Sequence, residues 1–216
     1  MEGGGATESF VLGDLGDYKN VDDMAPIASG ALVGLNLVAA LARFGGIGGI
    51  SLNTYFDSFG LEGILLNVSY VTLLFQVARW AYTCFYSSGD REWSPFVFVC
   101  IVMGMQFVND LIFYYGPLSI VPNGKNDMID ILKRYVAENG SRVLAGHALF
   151  LIFVAVIAMF IKESSTLFTY LVIAISLYTL PLLLTTVGPK PPPPPPKADE
   201  KKATTQVEPR WGAGAF

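Results

Sequence analysis

The chain has 216 residues, of which 52% are hydrophobic and only 15% are charged, whereas soluble globular domains carry roughly 25% charged residues. The formal net charge is −4 and no basic face stands out, so we expect no nucleic-acid partner. These values exclude an ordinary soluble domain and predict an all-α, polytopic membrane protein.

The first 24 residues are strongly acidic. They hold six acidic side chains against the single basic residue Lys19. A cleavable signal requires a basic stretch followed directly by an apolar core, and this segment has neither. We therefore predict an extended acidic N-terminal tail over residues 1–24.

Five apolar runs follow, each close to the ~20 residues needed to cross a hydrocarbon core of ~30 Å. Gly30 and Gly34 have the GxxxG spacing that allows two helices to approach closely. Gly116–Pro117 is expected to stop the third run, because proline lacks an amide hydrogen and its ring clashes with the preceding turn. The runs define a helical bundle over residues 25–187, with predicted spans at 25–42, 61–83, 94–116, 142–161 and 164–187.

Between the third and fourth spans, residues 127–138 have the pattern of a short surface helix. Asn126 is placed to cap its N-terminus, and Gly140 provides a left-handed stop. The helix is expected to lie on the membrane surface or on a partner, with an ordinary solvated helix as the alternative. Its apolar face consists of Met128, Leu132 and Tyr135.

The charges of the same helix are spaced for ion pairs. Asp130 and Arg134 are four residues apart, as are Arg134 and Glu138. Opposite charges at this spacing are neighbours on a helix surface. We therefore expect two ion pairs along one side of the helix.

Polar residues interrupt the apolar spans at a common predicted depth. At 1.5 Å per residue, they lie about 8 to 9 Å below the helix ends on one side of the membrane. Polar groups of this kind usually face a bundle interior and pair, so they either hold the helices together or form part of a proton or ion path. A path would need polar residues throughout the third span, which is apolar between Gln106 and Ser94. The layer comprises Asn36, Asn67, Asn109, Asp110 and His147.

The sequence offers little for catalysis. Its single histidine, His147, forms an acid–base constellation only with Asp110, and no serine or cysteine nucleophile motif accompanies them. We expect no enzyme activity, no cofactor and no metal site.

The C-terminal segment, residues 188–216, abandons the membrane pattern. Prolines run unbroken from Pro191 to Pro196 and predict a stiff polyproline rod that rises ~3.1 Å per residue. Beyond the rod, Trp211 and Phe216 are suited to dock in a pocket of a partner. A disordered tail with two isolated aromatic residues is the alternative.

Lysine and arginine counts give an orientation, because basic residues mark the cytoplasmic side. With five spans, one side carries Lys19, Arg79, Arg91 and Lys162. The other side carries Arg43, Lys125, Lys133, Arg134, Arg142, Lys190, Lys197, Lys201, Lys202 and Arg210. We place the surface helix and the C-terminal tail in the cytoplasm and the acidic N-terminus across the membrane.

Residues 104–160 carry a family resemblance. Its core is the segment FYYGPLSIVPNGKNDMIDILKRYVAENG, followed by an apolar helix. It resembles a small polytopic membrane protein of the nucleocytoplasmic large DNA viruses, particularly those that infect algae. The features in common are the Phe-Tyr-Tyr helix end, the Pro-x-Gly-Lys-Asn turn, and the Ile-Asp, Lys-Arg-Tyr and Glu-Asn-Gly positions of the surface helix.

The resemblance implies a structural role in the virus particle. Such proteins look like internal-membrane components or minor capsid proteins between the virion membrane and the icosahedral shell. The implied partners are the lipid bilayer, capsid or other virion proteins, and further copies of the chain. The implied location is an internal virion membrane that is assembled from host endomembrane. A small ion or proton channel or transporter is the alternative, and a protein that remodels host membranes is a third.

The orientation can be tested by translating the chain with microsomes. We expect added protease to remove the proline-rich tail and Asn139, in its Asn-Gly-Ser sequon, to stay unglycosylated, because both lie on the cytoplasmic side. A glycan on Asn139, or a tail protected from protease, would show that the orientation is reversed.

Overall fold

The computed structural model describes residues 12–87 and 91–188, and the regular secondary structure in this part of the chain is all helical. A 3₁₀ turn at Val21–Asp23 leads into the first helix, and a π-helical turn at Tyr114–Leu118 follows the third. The six α-helices are α1 (Met24–Gly45), α2 (Gly49–Phe85), α3 (Pro95–Phe113), α4 (Asp127–Asn139), α5 (Arg142–Lys162) and α6 (Thr166–Thr185).

All of these helices except α4 are long and apolar enough to cross a membrane, so the prediction of an all-α chain with five such helices is confirmed. The surface helix is also present as α4. The Asn126 side chain accepts a hydrogen bond from the amide of Ile129 at 3.0 Å, and Gly140 ends the helix at a positive φ of 57°.

Helix α2 begins twelve residues earlier than the predicted span at Leu61, at Gly49. It consists of a first segment, residues 49–59, and a longer part after Gly60, where the backbone breaks at φ 44° and ψ −123°. Only glycine readily takes such a conformation. The first segment carries Asn53 and Asp57 among its apolar residues, so its hydropathy did not identify it as part of a spanning run.

The predicted stop at Gly116–Pro117 is wrong. The backbone of α3 continues through the π-helical turn at Tyr114–Leu118 and stays helical to Ile120. A π-helical turn is wider than an α-helical turn, and such turns occur inside helices. The wider turn accommodates the Pro117 ring and its missing amide hydrogen without ending the helix.

Helix α1 is the centre of the bundle and packs against α2, α5 and α6. Its close approach to α5 depends on two glycines. A Cβ atom at Gly30 would lie 2.8 Å from the Val154 carbonyl oxygen, and one at Gly34 would lie 2.8 Å from the Phe150 ring. The predicted GxxxG contact is therefore a contact between α1 and α5.

The buried apolar side chains form two clusters. One lies toward the end of the bundle where α1 begins and joins α1, α2, α3 and α5 around Phe75, Phe98 and Met159. The other joins α1, the first segment of α2, α4 and α6 around Phe56, Ile131 and Leu180. The bundle thus has an N-terminal end, and an opposite end that carries α4, which we call the α4 end.

Part of the predicted acidic tail is folded. Residues 12–23 pack on the N-terminal end of the bundle, where Leu15 is completely buried. We call this stretch the cap segment. Residues 1–11 and 189–216 lie outside the residues that the structure describes, and so do the proposed tail contacts Pro191, Pro196, Trp211 and Phe216.

Candidate functional site: polar networks in the bundle

The structure brings Asp110 and His147 together, as the sequence predicts. His147 Nδ1 lies 3.1 Å from Asp110 Oδ1. Gln106 Nε2 donates to the same carboxylate oxygen at 2.7 Å, and Tyr70 donates its hydroxyl to Gln106 Oε1 at 2.6 Å. Asn109 Nδ2 completes the set by donating to the Tyr70 hydroxyl at 2.8 Å. We call these five residues the intramembrane network.

The network joins α2, α3 and α5 in the half of the bundle nearer the α4 end. The His147 side chain is 42% exposed and the Asp110 side chain 14%, while Gln106 is buried. The network does not continue toward the N-terminal end, because the next side chains inward are the buried Phe75, Val102 and Val154. The arrangement can therefore hold three helices together and bind a proton, but a sealed apolar layer lies behind it.

The remaining members of the predicted polar layer lie elsewhere. Asn36 joins α1 to α6, since its Nδ2 donates to the Ser176 carbonyl at 3.1 Å and its Oδ1 accepts from Thr179 at 2.8 Å. Asn67 stays within α2 and donates to the Tyr55 hydroxyl at 2.9 Å. The common depth was measured from helix ends at Ala42 and Gly116, and the structure extends both helices past those points.

Sequence reasoning missed Tyr70 and left Gln106 out of the layer. A signal for Tyr70 was available, because it lies in the middle of a predicted span and away from the interfacial positions where tyrosine is enriched. A buried tyrosine hydroxyl usually finds a hydrogen-bond partner. Tyr70 therefore predicts a polar partner on a neighbouring helix.

The strongest polar cluster lies at the N-terminal end and was not predicted. The Arg79 side chain is completely buried. Its Nη2 lies 2.7 Å from Asp23 Oδ2, and the guanidinium also donates to the Leu15 carbonyl at 2.8 Å and the Asn20 carbonyl at 2.7 Å. Lys162, at the end of α5, contacts the second oxygen of Asp23. A charged residue inside a predicted span was the signal for such a cluster, because it requires buried partners.

Further side chains of the bundle bind the backbone of the cap segment. Gln76 donates to the Tyr18 carbonyl at 2.9 Å and Trp93 to the Leu12 carbonyl at 3.1 Å. Gly16 fits closely, because a Cβ atom there would lie 2.6 Å from the Tyr82 ring. The cap segment therefore closes the N-terminal end of the bundle.

A second buried arginine organises the α4 end. Arg43 Nη1 donates to Asn53 Oδ1 at 3.0 Å, and Nη2 donates to Asp57 Oδ1 at 2.7 Å. Nη2 also donates to the Leu184 carbonyl at 2.8 Å. These bonds tie the end of α1 to the first segment of α2 and to the end of α6.

Helix α4 lies on the first segment of α2 and is fixed there by its own charges. The Glu138 carboxylate accepts from the amides of Ile50 and Ser51 at 2.8 and 2.9 Å. Burial raises the pKa of Glu138, but these amide hydrogen bonds outweigh burial and lower the pKa below its ordinary value. Asp130 Oδ2 accepts from the amide of Gly124 at 2.7 Å.

The predicted ion pairs of α4 are therefore absent. Asp130 and Glu138 bind backbone amides, and Arg134 has no ion pair within the described part of the chain. The apolar face is turned toward the bundle, where Ile131 is its buried centre. Around it Met128, Leu132 and Tyr135 are half-buried, and burial raises the pKa of the Tyr135 hydroxyl.

Within residues 12–87 and 91–188, no group of three or more His, Cys, Asp and Glu side chains is arranged to hold a metal ion. No family model, curated protein or solved structure matches this chain.

The coupling between Asp110 and His147 can be measured with a double-mutant cycle. Asp110→Ala removes the carboxylate oxygen that Gln106 and His147 share. A buried polar group that is left without its hydrogen-bond partner costs about 1–3 kcal/mol. We expect Asp110→Ala and His147→Ala each to lower thermal stability in detergent, and the double variant to lose less than the sum of the two losses.

The control pair is Asn36→Ala with His147→Ala. Asn36 shares no hydrogen-bond partner with His147, so these two losses should add. Additive losses for Asp110 and His147 would contradict the coupling.

Proposed function

We propose that this chain is a structural membrane protein that links an internal membrane of a large DNA virus particle to the capsid shell. Two things support the proposal. Residues 104–160 resemble viral proteins of that kind, and the bundle carries a folded element, α4, fixed rigidly at one end. The chain itself is a multi-pass membrane protein by the length and hydropathy of its five apolar helices.

The observation that carries a structural role is the closed interior. A channel or transporter needs a hydrated route from one side of the bundle to the other. Here Phe75, Phe98 and Met159 are fully buried between the intramembrane network and the Arg79 cluster. Hydrogen-bonded clusters at both ends and a sealed apolar layer between them favour a scaffold.

The contact with the shell is assigned to the α4 end. The apolar face of α4 is turned toward the bundle and is not available to a partner. We therefore assign the contact to the loop before α4, where residues 122–126 are all exposed. The C-terminal segment leaves from the same end, since Gly188 lies against Asn53 and Arg43. The loop and the tail would therefore reach one partner together.

A small ion or proton channel or transporter is the second candidate. The intramembrane network favours it, because the His147 side chain is partly exposed beside Asp110. An intramembrane acid and histidine pair is a common element of proton relays. This function would require the apolar layer around Phe75 and Phe98 to open.

The proposal is tested by particle assembly. Deletion of residues 188–216, or Lys125→Glu in the exposed loop, should leave membrane insertion intact and reduce incorporation into purified particles severalfold. Lys19→Glu, an exposed charge at the opposite end, is the matched control and should be packaged normally. Mass spectrometry of particles stripped with mild detergent measures the amount that remains with the shell.

Normal packaging of both variants would contradict the linking role. The second candidate is tested separately with proteoliposomes of the purified chain. A proton or ion flux that is lost in Asp110→Asn would support the channel, whereas sealed vesicles would support the scaffold.

A further inference from the structure

A groove runs beside the contact between the first segment of α2 and α4. It is open to the surface, has a volume of about 770 Å³ and includes Phe59 and Ile131 in its apolar lining. Its volume falls in the ~300–1,000 Å³ range of small-molecule sites. The groove is therefore large enough for a compact ligand with an apolar part.

The charges of the groove are balanced and carried by neighbouring turns of one helix. The lining includes two acids, Asp127 and Asp130, and two bases, Lys133 and Arg134. A groove with two charges of each sign suits a ligand that carries both signs itself. A purely anionic or purely cationic ligand would meet as much repulsion as attraction.

The acidic side holds an unsatisfied group. Asp130 Oδ2 accepts from the Gly124 amide at 2.7 Å, but Asp130 Oδ1 is buried and has no donor among the residues that the structure describes. A buried carboxylate oxygen of this kind requires a hydrogen-bond donor. A ligand that supplies one must carry N–H or O–H groups at its positive end.

The basic side chains of the groove also have N–H donors available for a ligand. Lys133 Nζ contacts the Val121 carbonyl and lies 2.9 Å from Asn123 Oδ1. Arg134 is exposed and has no ion pair within the described ranges. A guanidinium presents several N–H donors in a planar fork that matches a phosphate group.

The groove lies beside the point where the membrane-spanning part of α2 begins. The first segment of α2 ends at Gly60, directly before the part that crosses the membrane. Helix α4 lies between the end of α3 and the start of α5, with the exposed Tyr114 and Tyr115 close before it. Tyrosines of this kind mark the membrane–water interface.

We propose that the groove binds the headgroup of a zwitterionic phospholipid with a primary ammonium group, the phosphatidylethanolamine class. The ammonium lies beside Asp127 and Asp130, where a shift of the Asp130 side chain turns its buried Oδ1 toward the groove, and the phosphate lies against Arg134 and Lys133. Phosphatidylcholine is a poorer fit because its quaternary ammonium has no N–H to donate. Phosphatidylglycerol is a poorer fit because it leaves both acids without a cation.

This inference rests on the membrane assignment and not on the viral role. It is tested with the full chain, purified without lipid in detergent and titrated with phosphatidylethanolamine, its N-methyl and N,N-dimethyl derivatives, phosphatidylcholine and phosphatidylglycerol. Native mass spectrometry reports the bound lipid. We expect affinity to fall along the methylation series, with phosphatidylcholine about tenfold weaker than phosphatidylethanolamine. Equal binding along the series would overturn the proposal.

Two variants test the ammonium contact and the phosphate contact of the headgroup separately. Asp130→Asn keeps an acceptor for the Gly124 amide and should abolish the preference for phosphatidylethanolamine over phosphatidylcholine. Arg134→Gln should weaken both lipids alike, because both carry the same phosphate. A preference retained in Asp130→Asn would contradict the assigned site.

The matched controls are two exposed charges outside the groove, Glu62→Gln and Arg142→Gln. Both should bind phosphatidylethanolamine as the unmodified chain does. If Asp130→Asn does not fold, the methylation series on the unmodified chain decides alone. The two proposals can fail independently. A chain that prefers phosphatidylethanolamine but is dispensable for particle assembly would support the lipid site and contradict the capsid link.

Discussion

The buried guanidinium of Arg79 is the constraint on which the N-terminal end of the bundle depends. A charged group without access to water is tolerated only when its hydrogen bonds are satisfied nearby. Arg79 obtains acceptors from Asp23 and from the carbonyls of Leu15 and Asn20. Asp23 in turn contacts Lys162 at the end of α5. One side chain thereby folds the cap segment and ties the beginning of α1 to the ends of α2 and α5.

The α4 end repeats the same solution with Arg43. Its guanidinium binds Asn53, Asp57 and the Leu184 carbonyl, which brings the first segment of α2 under the ends of α1 and α6. Helix α4 then packs on that segment through Ile131, and Glu138 caps its first amides. Two buried, hydrogen-bonded arginines fix the ends of the bundle, and the apolar core fills the space between them. The proposed scaffold role rests on this closed construction.

Much of the fold could be predicted, because apolar runs and caps are local signals. The five long helices and α4 with its Asn126 cap follow from hydropathy and spacing. The first segment of α2, the cap segment and the turn around Pro117 could not be predicted this way, since tertiary contacts stabilise them. In the candidate site, Asp110 and His147 were paired from their depth, but Asn36 found partners on α6. The position of a residue along a helix does not determine the direction in which its side chain points around the helix axis. Depth alone therefore could not show which polar residues face one another.

Backbone hydrogen exchange can show whether Arg79 holds the cap segment in place. In Arg79→Met the buried Asp23 carboxylate loses its arginine partner, and the carbonyls of Leu15 and Asn20 lose their donor. Removing one partner of a buried ion pair costs about 3–5 kcal/mol. We expect the amides of residues 12–20 to lose protection in Arg79→Met and to keep it in the control Arg142→Met, at the opposite end of the bundle. Unchanged protection of residues 12–20 in Arg79→Met would show that Arg79 does not hold the cap segment.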